Sequence, residues 1–162
     1  MFDGQSLKEK QRTIRDGFPE NLGLRVHRAI SWLLRSEQET DDPDAAFLFL
    51  WIAFNACYGE DSTRSAGSGS SNERQILERY FQKILQFDTD GEIQAAVWER
   101  FSGPIRVFLD NQYVFQPFWK FYNGVPGYDN WEQSLNQARK KAVRAIGCGD
   151  TLMVLSILFD RL

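Results

Sequence analysis

Residues 42–59 read DPDAAFLFLWIAFNACYG, and the reading of this run decides the fold. From Ala45 to Tyr58 only Asn55 carries an amide or a charge. The apolar stretch is shorter than the roughly 20 residues needed to cross a bilayer. It is long enough for a helix packed in a protein core. Its start is marked twice: Asp42 can accept from free backbone N–H groups, and Pro43 suits the first helical position. Gly59 suits the end. Apolar on nearly every side, the helix over 43–58 is expected to be central, with neighbours all round. Asn55 is then expected to be largely buried. An unpaired amide there would cost about 1–3 kcal/mol, so it should be hydrogen-bonded. Its partner is either a neighbouring helix, which it ties in place, or a ligand entering a cleft.

The same logic extends outward. N-terminal to the run, residues 22–38 read as a long helix whose inner stripe is Val26, Ala29, Ile30, Trp32 and Leu33. The acidic link EQETDD joins the two. C-terminal to it, GEDSTRSAGSGSS (59–71) has the composition of a flexible loop. Ser70 and Glu73 have capping-box spacing for a third helix. Ile76, Leu77, Tyr80, Phe81, Ile84 and Leu85 then recur at three-and-four spacing on one face. GEIQAAVWERF reads as a short helix broken at Ser102–Gly103–Pro104. The aromatic-rich stretch from Phe108 to Tyr122 reads as a helix, a break near Pro117, then a short helix or turn. Asp129 and Glu132 offer a cap for a helix over 130–146, which buries Trp131, Leu135, Ala138, Ala142 and Ile146 and stops at Gly147. A last apolar helix begins near Asp150 or Thr151 and is expected to be among the most buried elements. No stretch combines period-two alternation with hairpin turns. The fold class is therefore all-α, helical almost throughout with little or no sheet. Residues 1–20 form a polar, partly ordered segment, and residues 21–162 form a single domain.

Length and charge bound the function. A chain of 162 residues is the size of one domain with a real core. Its net charge of −3 gives no global nucleic-acid signature, although a local basic face is allowed. Cys57 and Cys148 point to reduced thiols in a cytoplasmic protein rather than a disulfide framework. Lys8, Lys10, Arg12 and Arg15 with no apolar segment exclude a signal peptide in residues 1–20. One histidine and no close cysteine pair argue against a His/Cys metal site, and no cofactor-binding motif occurs.

Two groups remain as candidates. His27 falls between Arg25 and Arg28 near the start of the first long helix. It is a low-ranking candidate general base, set against the blander reading of a half-exposed helix position. In QARKKAVR, Arg139, Lys140, Lys141 and Arg144 project away from the Trp131–Leu135–Ala138–Ala142 stripe and share an outer surface. Such clusters are commonly only solvated helix faces; the sharper reading is contact with RNA phosphates.

The segment LRVHRAISWLLRSEQETDDPDAAFLFLWIAFNACYG (24–59) resembles the HEPN superfamily, and within it the ApeA-like branch of bacterial proteins. The match uses Arg25, His27, Arg28, Trp32, Asp42, Pro43, Asp44, Trp51, Phe54, Asn55 and Tyr58. The end, GDTLMVLSILFDRL, is also similar to that branch. The resemblance implies an up-and-down bundle of four to five main helices, paired as a homodimer. It implies the activity of a metal-independent endoribonuclease in toxin–antitoxin or antiphage defence, with an antitoxin or other protein partner. The family motif is an arginine, four to six residues, then a histidine. Histidine moves protons at the 2′-hydroxyl or leaving oxygen, and arginine steadies the charge on phosphorus.

This sequence departs there. A motif ending at His27 needs arginine at 20, 21 or 22, which are Glu20, Asn21 and Leu22. The chain as given is therefore expected to be inactive, with no catalytic residue assigned. The motif is expected just past FDRL, in a longer parent. The alternative is a non-catalytic module that binds RNA, a nucleotide or a protein. The binding residues expected on either reading are Asn55, Arg139, Lys140, Lys141 and Arg144.

Overall fold

In the computed structural model, residues 3–58 and 70–162 are described, and among them all regular structure is helical with no strand. Two compact units are present, Met1–Gly67 and Ser68–Leu162. The fold is all-α, as the periodicities require. The described residues form nine α-helices rather than four or five, because the aromatic-rich middle is cut into short pieces.

The first unit holds α1 (Gly4–Ile14), α2 (Glu20–Ser36) and α3 (Pro43–Tyr58). The polar opening, expected to be partly ordered, is helical. Asp3 caps α1, accepting from the Ser6 backbone N–H at 2.7 Å and from its hydroxyl at 2.5 Å. The Gly4 N–H donates to Glu37 Oε1 at 2.8 Å, which anchors the start of α1 at the end of α2. The lack of a side chain at Gly4 permits this approach, since a Cβ there would lie 2.9 Å from Leu34. Between α2 and α3 the expected stripe packs: Ala29 and Ile30 are buried, and Trp32 stacks on Phe49 with ring centroids 5.4 Å apart.

The start of α3 is where its sequence puts it, with Asp42 Oδ1 accepting from the Ala45 N–H at 2.9 Å. Its burial is not as expected. Only Ala53 is buried, while Phe47, Leu48, Leu50 and Ile52 are exposed. The reason is the number of available neighbours. Within the unit α2 packs along one side of α3 and α1 packs on α2, so one partner has to cover a helix apolar on all sides. Cys57, placed in a buried helix by its sequence context, is likewise exposed. The expected helix end at Gly59 and the flexible loop after it lie outside the described residues.

The second unit holds α4 (Ser70–Phe87), α5 (Glu92–Ala95), α6 (Ser102–Asp110), α7 (Gln116–Tyr122), α8 (Trp131–Gly147) and α9 (Thr151–Phe159). The α4 stripe converges on Phe81, which is 1% exposed and meets Phe159 of α9 edge-on at 5.0 Å. The Ser70–Glu73 capping box lies outside the described side chains. α9 is central, packing on α4, α6 and α8, and Val154 is fully buried. Its heavy burial is thus as its all-round apolarity implies. Asp150 caps it, accepting from the Met153 N–H at 2.9 Å.

α8 buries Trp131, Leu135, Ala142 and Ala145. Its start differs from expectation: Asn130 occupies the cap position and no side chain caps it. Its end differs as well. Gly147 is helical, and the turn is made at Gly149, whose φ of +67° favours glycine. The helical stretch from Glu92 ends at Arg100 and breaks at Phe101, so Ser102–Gly103–Pro104 stands at the expected break and opens α6. Pro117 sits in the first turn of α7, where its missing N–H costs nothing. Between α5 and α6 the chain makes a wide π-turn over Ala96–Arg100, closed by the Phe101 N–H donating to the Ala96 carbonyl at 2.9 Å. From this turn Trp98 Nε1–H donates to Thr151 Oγ1 at 2.8 Å, tying the turn to the start of α9.

Candidate functional site

The three residues expected to matter in the first unit take separate, modest places. His27 is exposed on α2 and lies in a hollow of about 430 Å³ with Lys8, Arg12, Arg15, Asp16 and Glu20. Its backbone carbonyl accepts from Ser31 Oγ at 2.8 Å, and its ring has no hydrogen bond to the described residues. Neither a nucleophile nor a dedicated carboxylate orients it.

Arg25, two residues earlier, serves the backbone. Its Nη2 donates to the Cys57 carbonyl at 2.5 Å and its Nε to the Ala56 carbonyl at 3.3 Å. A guanidinium on the last carbonyls of α3 meets the negative end of that helix.

Asn55 is half-buried, less than expected, and its Nδ2 donates to the Trp51 carbonyl one turn back at 2.7 Å. The amide is satisfied by its own helix, so the observed bond neither joins two helices nor addresses a cleft.

The second unit gathers the positive charge. Arg139, Lys140 and Arg144 line one hollow of about 530 Å³ on α8 with Asn136 and Val143. An adjoining cleft of about 410 Å³ between α6 and α8 is lined by Arg106, Leu109, Asp110, Arg139, Ala142, Val143, Ile146 and Gly147. The two share Arg139 and Val143. Lys141 is exposed but lines neither. At about 100° per residue it stands about 60° from Arg144, one turn back on the same exposed side of α8, so it borders the hollow without lining it.

Arg139 is held in place. Its Nη2 donates to the Asp110 carbonyl at 2.6 Å, and its Nε lies 2.6 Å from Asp110 Oδ1, close in charge but not aligned as a hydrogen bond. Its charge is therefore largely answered. Lys140, Arg144 and Arg106 have no acidic partner within salt-bridge distance among the described residues, and their charges face solvent.

Arg161 completes the group from the C-terminal side. Its Nη1 donates to the Leu109 carbonyl, and its guanidinium lies 5.7 Å from the centre of the Phe115 ring. Burial, then repulsion from Arg139, holds its pKa below the usual arginine value, against the pull of Asp160 and Asp110. Two guanidiniums thus converge on the C-terminal carbonyls of α6, where the helix dipole is negative.

Reading the sequence missed Arg106 and Arg161 as members of this cluster. Arg106 stands one turn before Asp110 on α6, a local signal once α6 is known. Arg161 reaches across 52 residues to Leu109, and no local pattern announces that.

Chemically the cluster can bind an anion. Among the described residues, no group of three or more His, Cys, Asp or Glu side chains is placed to hold a metal ion. No described helix is long and apolar enough to cross a membrane. Comparison of the chain with protein-family models, with curated proteins and with solved structures gave no match.

Proposed function

We propose that this chain is a HEPN-like helical module that binds RNA through its phosphates and does not cleave it. The observation that carries the reading is the set of cations left without acidic partners, Arg106, Lys140 and Arg144, around two adjoining hollows on a chain of net charge −3. On an acidic protein, such a cluster concentrates positive potential in one place. The lack of cleavage rests on His27 being the single histidine, with Glu20, Asn21 and Leu22 where the family arginine would stand. The HEPN reading carries with it a homodimer in the bacterial cytoplasm, a role in toxin–antitoxin or antiphage defence, and a protein partner that regulates it.

The test measures binding of fluorescent RNA by anisotropy across a salt series. Wild type is expected to bind more weakly as salt rises. Lys140→Glu with Arg144→Glu should bind more weakly still, with the log–log slope reduced by about 1.4 for two lost contacts to a single strand. Superimposable curves for the two proteins would remove this face from RNA binding. In parallel, the 162-residue protein is expected to leave structured and single-stranded RNA intact, with or without divalent metal. Cleavage that vanishes in His27→Ala would instead make His27 catalytic.

A further inference from the structure

The segment after α6 carries a group of aromatic side chains that RNA phosphates alone do not use. It is seated at the start of α8, about 14 Å along the helix from Lys140 and about 20 Å from Arg144. Tyr113, Trp119 and Tyr122 are 58%, 49% and 63% exposed. All three pack on one buried ring, Phe118, with centroids 5.3, 5.1 and 4.5 Å away. Phe118 in turn meets Trp131 edge-on at 5.0 Å, which fixes the group to α8. The Trp119 indole is held as well: its Nε1–H donates to the Tyr113 carbonyl at 2.7 Å. Its polar edge is thus satisfied while half its surface stays open to solvent. Three large rings are presented outward on a rigid base, at low entropic cost to any ligand that stacks on them.

The surroundings indicate what that ligand is. Residues 111–128 contain no Asp or Glu, so nothing acidic within the segment repels an anion. Tyr113 follows Asp110 by three residues, and Asp110 is the residue that holds Arg139. Three peptide steps of 3.8 Å put the Tyr113 Cα within about 11 Å of the Asp110 Cα. Lys120 lies within the segment itself; it donates to the neutral Tyr128 hydroxyl at 2.9 Å and keeps its charge, which adds to that of the α6–α8 cluster. Planar faces on the same unit as a phosphate-binding groove are what unpaired bases require. A duplex hides those faces, and an aliphatic partner segment would gain nothing from the neighbouring charge.

We infer that Tyr113, Trp119 and Tyr122 form a stacking platform for the bases of single-stranded RNA whose phosphates engage Arg106, Lys140 and Arg144. This rests on the RNA reading above and names the form of RNA. Stacking uses a face that every base has, so the platform tolerates sequence and discriminates against double strands.

The experiment uses the full chain with three probes: a labelled oligouridylate, a labelled hairpin duplex and inorganic polyphosphate. Trp119→Ala and Tyr122→Ala should each weaken oligouridylate binding by about fivefold or more. Hairpin and polyphosphate affinity and the salt slope should not change, and Trp119→Phe should restore binding. Circular dichroism and urea unfolding check the fold of both alanine variants, and Tyr122→Phe, which keeps the ring and its contact with Phe118, should bind as wild type does. If both alanine variants bind oligouridylate as wild type does, the platform is overturned while the RNA reading stands, and the rings belong to a protein contact. Parallel loss of polyphosphate binding in the alanine variants overturns the platform too, because the effect is then structural. Wild type that binds none of the three probes overturns both.

Discussion

Replacing Thr151 by valine tests how the second unit is locked together. Thr151 is 8% exposed, and its hydroxyl accepts the Trp98 indole N–H at 2.8 Å across 53 residues. Valine keeps the volume but turns a methyl toward the indole. The loss is more than a hydrogen bond, because a donor is stranded at the edge of the core. Stranding a buried donor costs about 1–3 kcal/mol, and Trp98 is only half-buried, so the expected cost is about 1–2 kcal/mol. For a domain of 60–100 residues that corresponds to roughly 4–8 °C per kcal/mol. The assay is urea unfolding of the full chain, followed by circular dichroism and by tryptophan fluorescence. A double-mutant cycle with Trp98→Phe isolates the bond. In that background no donor is left to strand, so Thr151→Val should cost about 0.5 kcal/mol or less. Equal costs in the two backgrounds would refute the reasoning and assign Thr151 a purely steric role.

Phe81→Ala removes the most buried large ring of the second unit and its edge-on partner contact with Phe159, so a loss of about 3–5 kcal/mol is expected by urea unfolding, with Phe81→Leu intermediate. Arg25→Ala strips the half-buried guanidinium from the last carbonyls of α3 and should cost about 1 kcal/mol in the same assay. Arg25→Lys should recover part of it, and no change on Ala substitution would deny the capping role. At Asp3 the Ser6 hydroxyl and then the Ser6 backbone N–H hold the carboxyl below its ordinary 3.8. A depressed carboxylate stabilises its helix above the unfolded pKa and loses that effect as pH falls through the native one. The first amides of α1 should therefore lose hydrogen-exchange protection below pH 3.8 ahead of those in α8, and Asp3→Asn should remove this pH dependence.

Local signals in the sequence carried the helix ends that side chains cap within a few residues. Asp42 before α3 and Asp150 before α9 both perform the expected bond. The stripes of α2, α4 and α8 turn inward as their spacing selects: Ala29, Ile30, Phe81, Trp131, Leu135 and Ala142 are buried and the other stripe residues half-buried, while α8 buries Ala145 in addition. The misjudged features depend on partners far along the chain. α1 reads as polar debris because its anchor is Glu37, 33 residues away. α3 reads as fully buried because apolarity counts side chains and not the neighbours available to cover them. At the site, Lys140 and Arg144 were legible from charge periodicity, and Lys141 was grouped with them because four basic residues in six positions suggest one face. On a helix turning about 100° per residue Lys141 stays beside Arg144 on the exposed side, at the border of the hollow that the other three line. Asp110 meets Arg139 of α8, and Arg161, just past α9, reaches the Leu109 carbonyl, so only the packed unit brings these groups together at the end of α6.

The wide turn at Ala96–Arg100 has a consequence for how the protein varies in length. A π-turn holds about one residue more than an α-turn, so it is the place where a helix stores an insertion. Loss of exposed Glu99 or Arg100 would let the turn tighten to ordinary helix while Trp98 keeps its place on α5's side of the change. Everything beyond would keep its facing, because the residue removed is the one the wide turn accommodates, and the break at Phe101 lies immediately downstream to absorb any residual shift. The same deletion inside α8 would swing the buried stripe out of the core. Gene variants one codon shorter here should therefore fold, and in an alignment they would show as a gap in mid-helix where the architecture is unbroken.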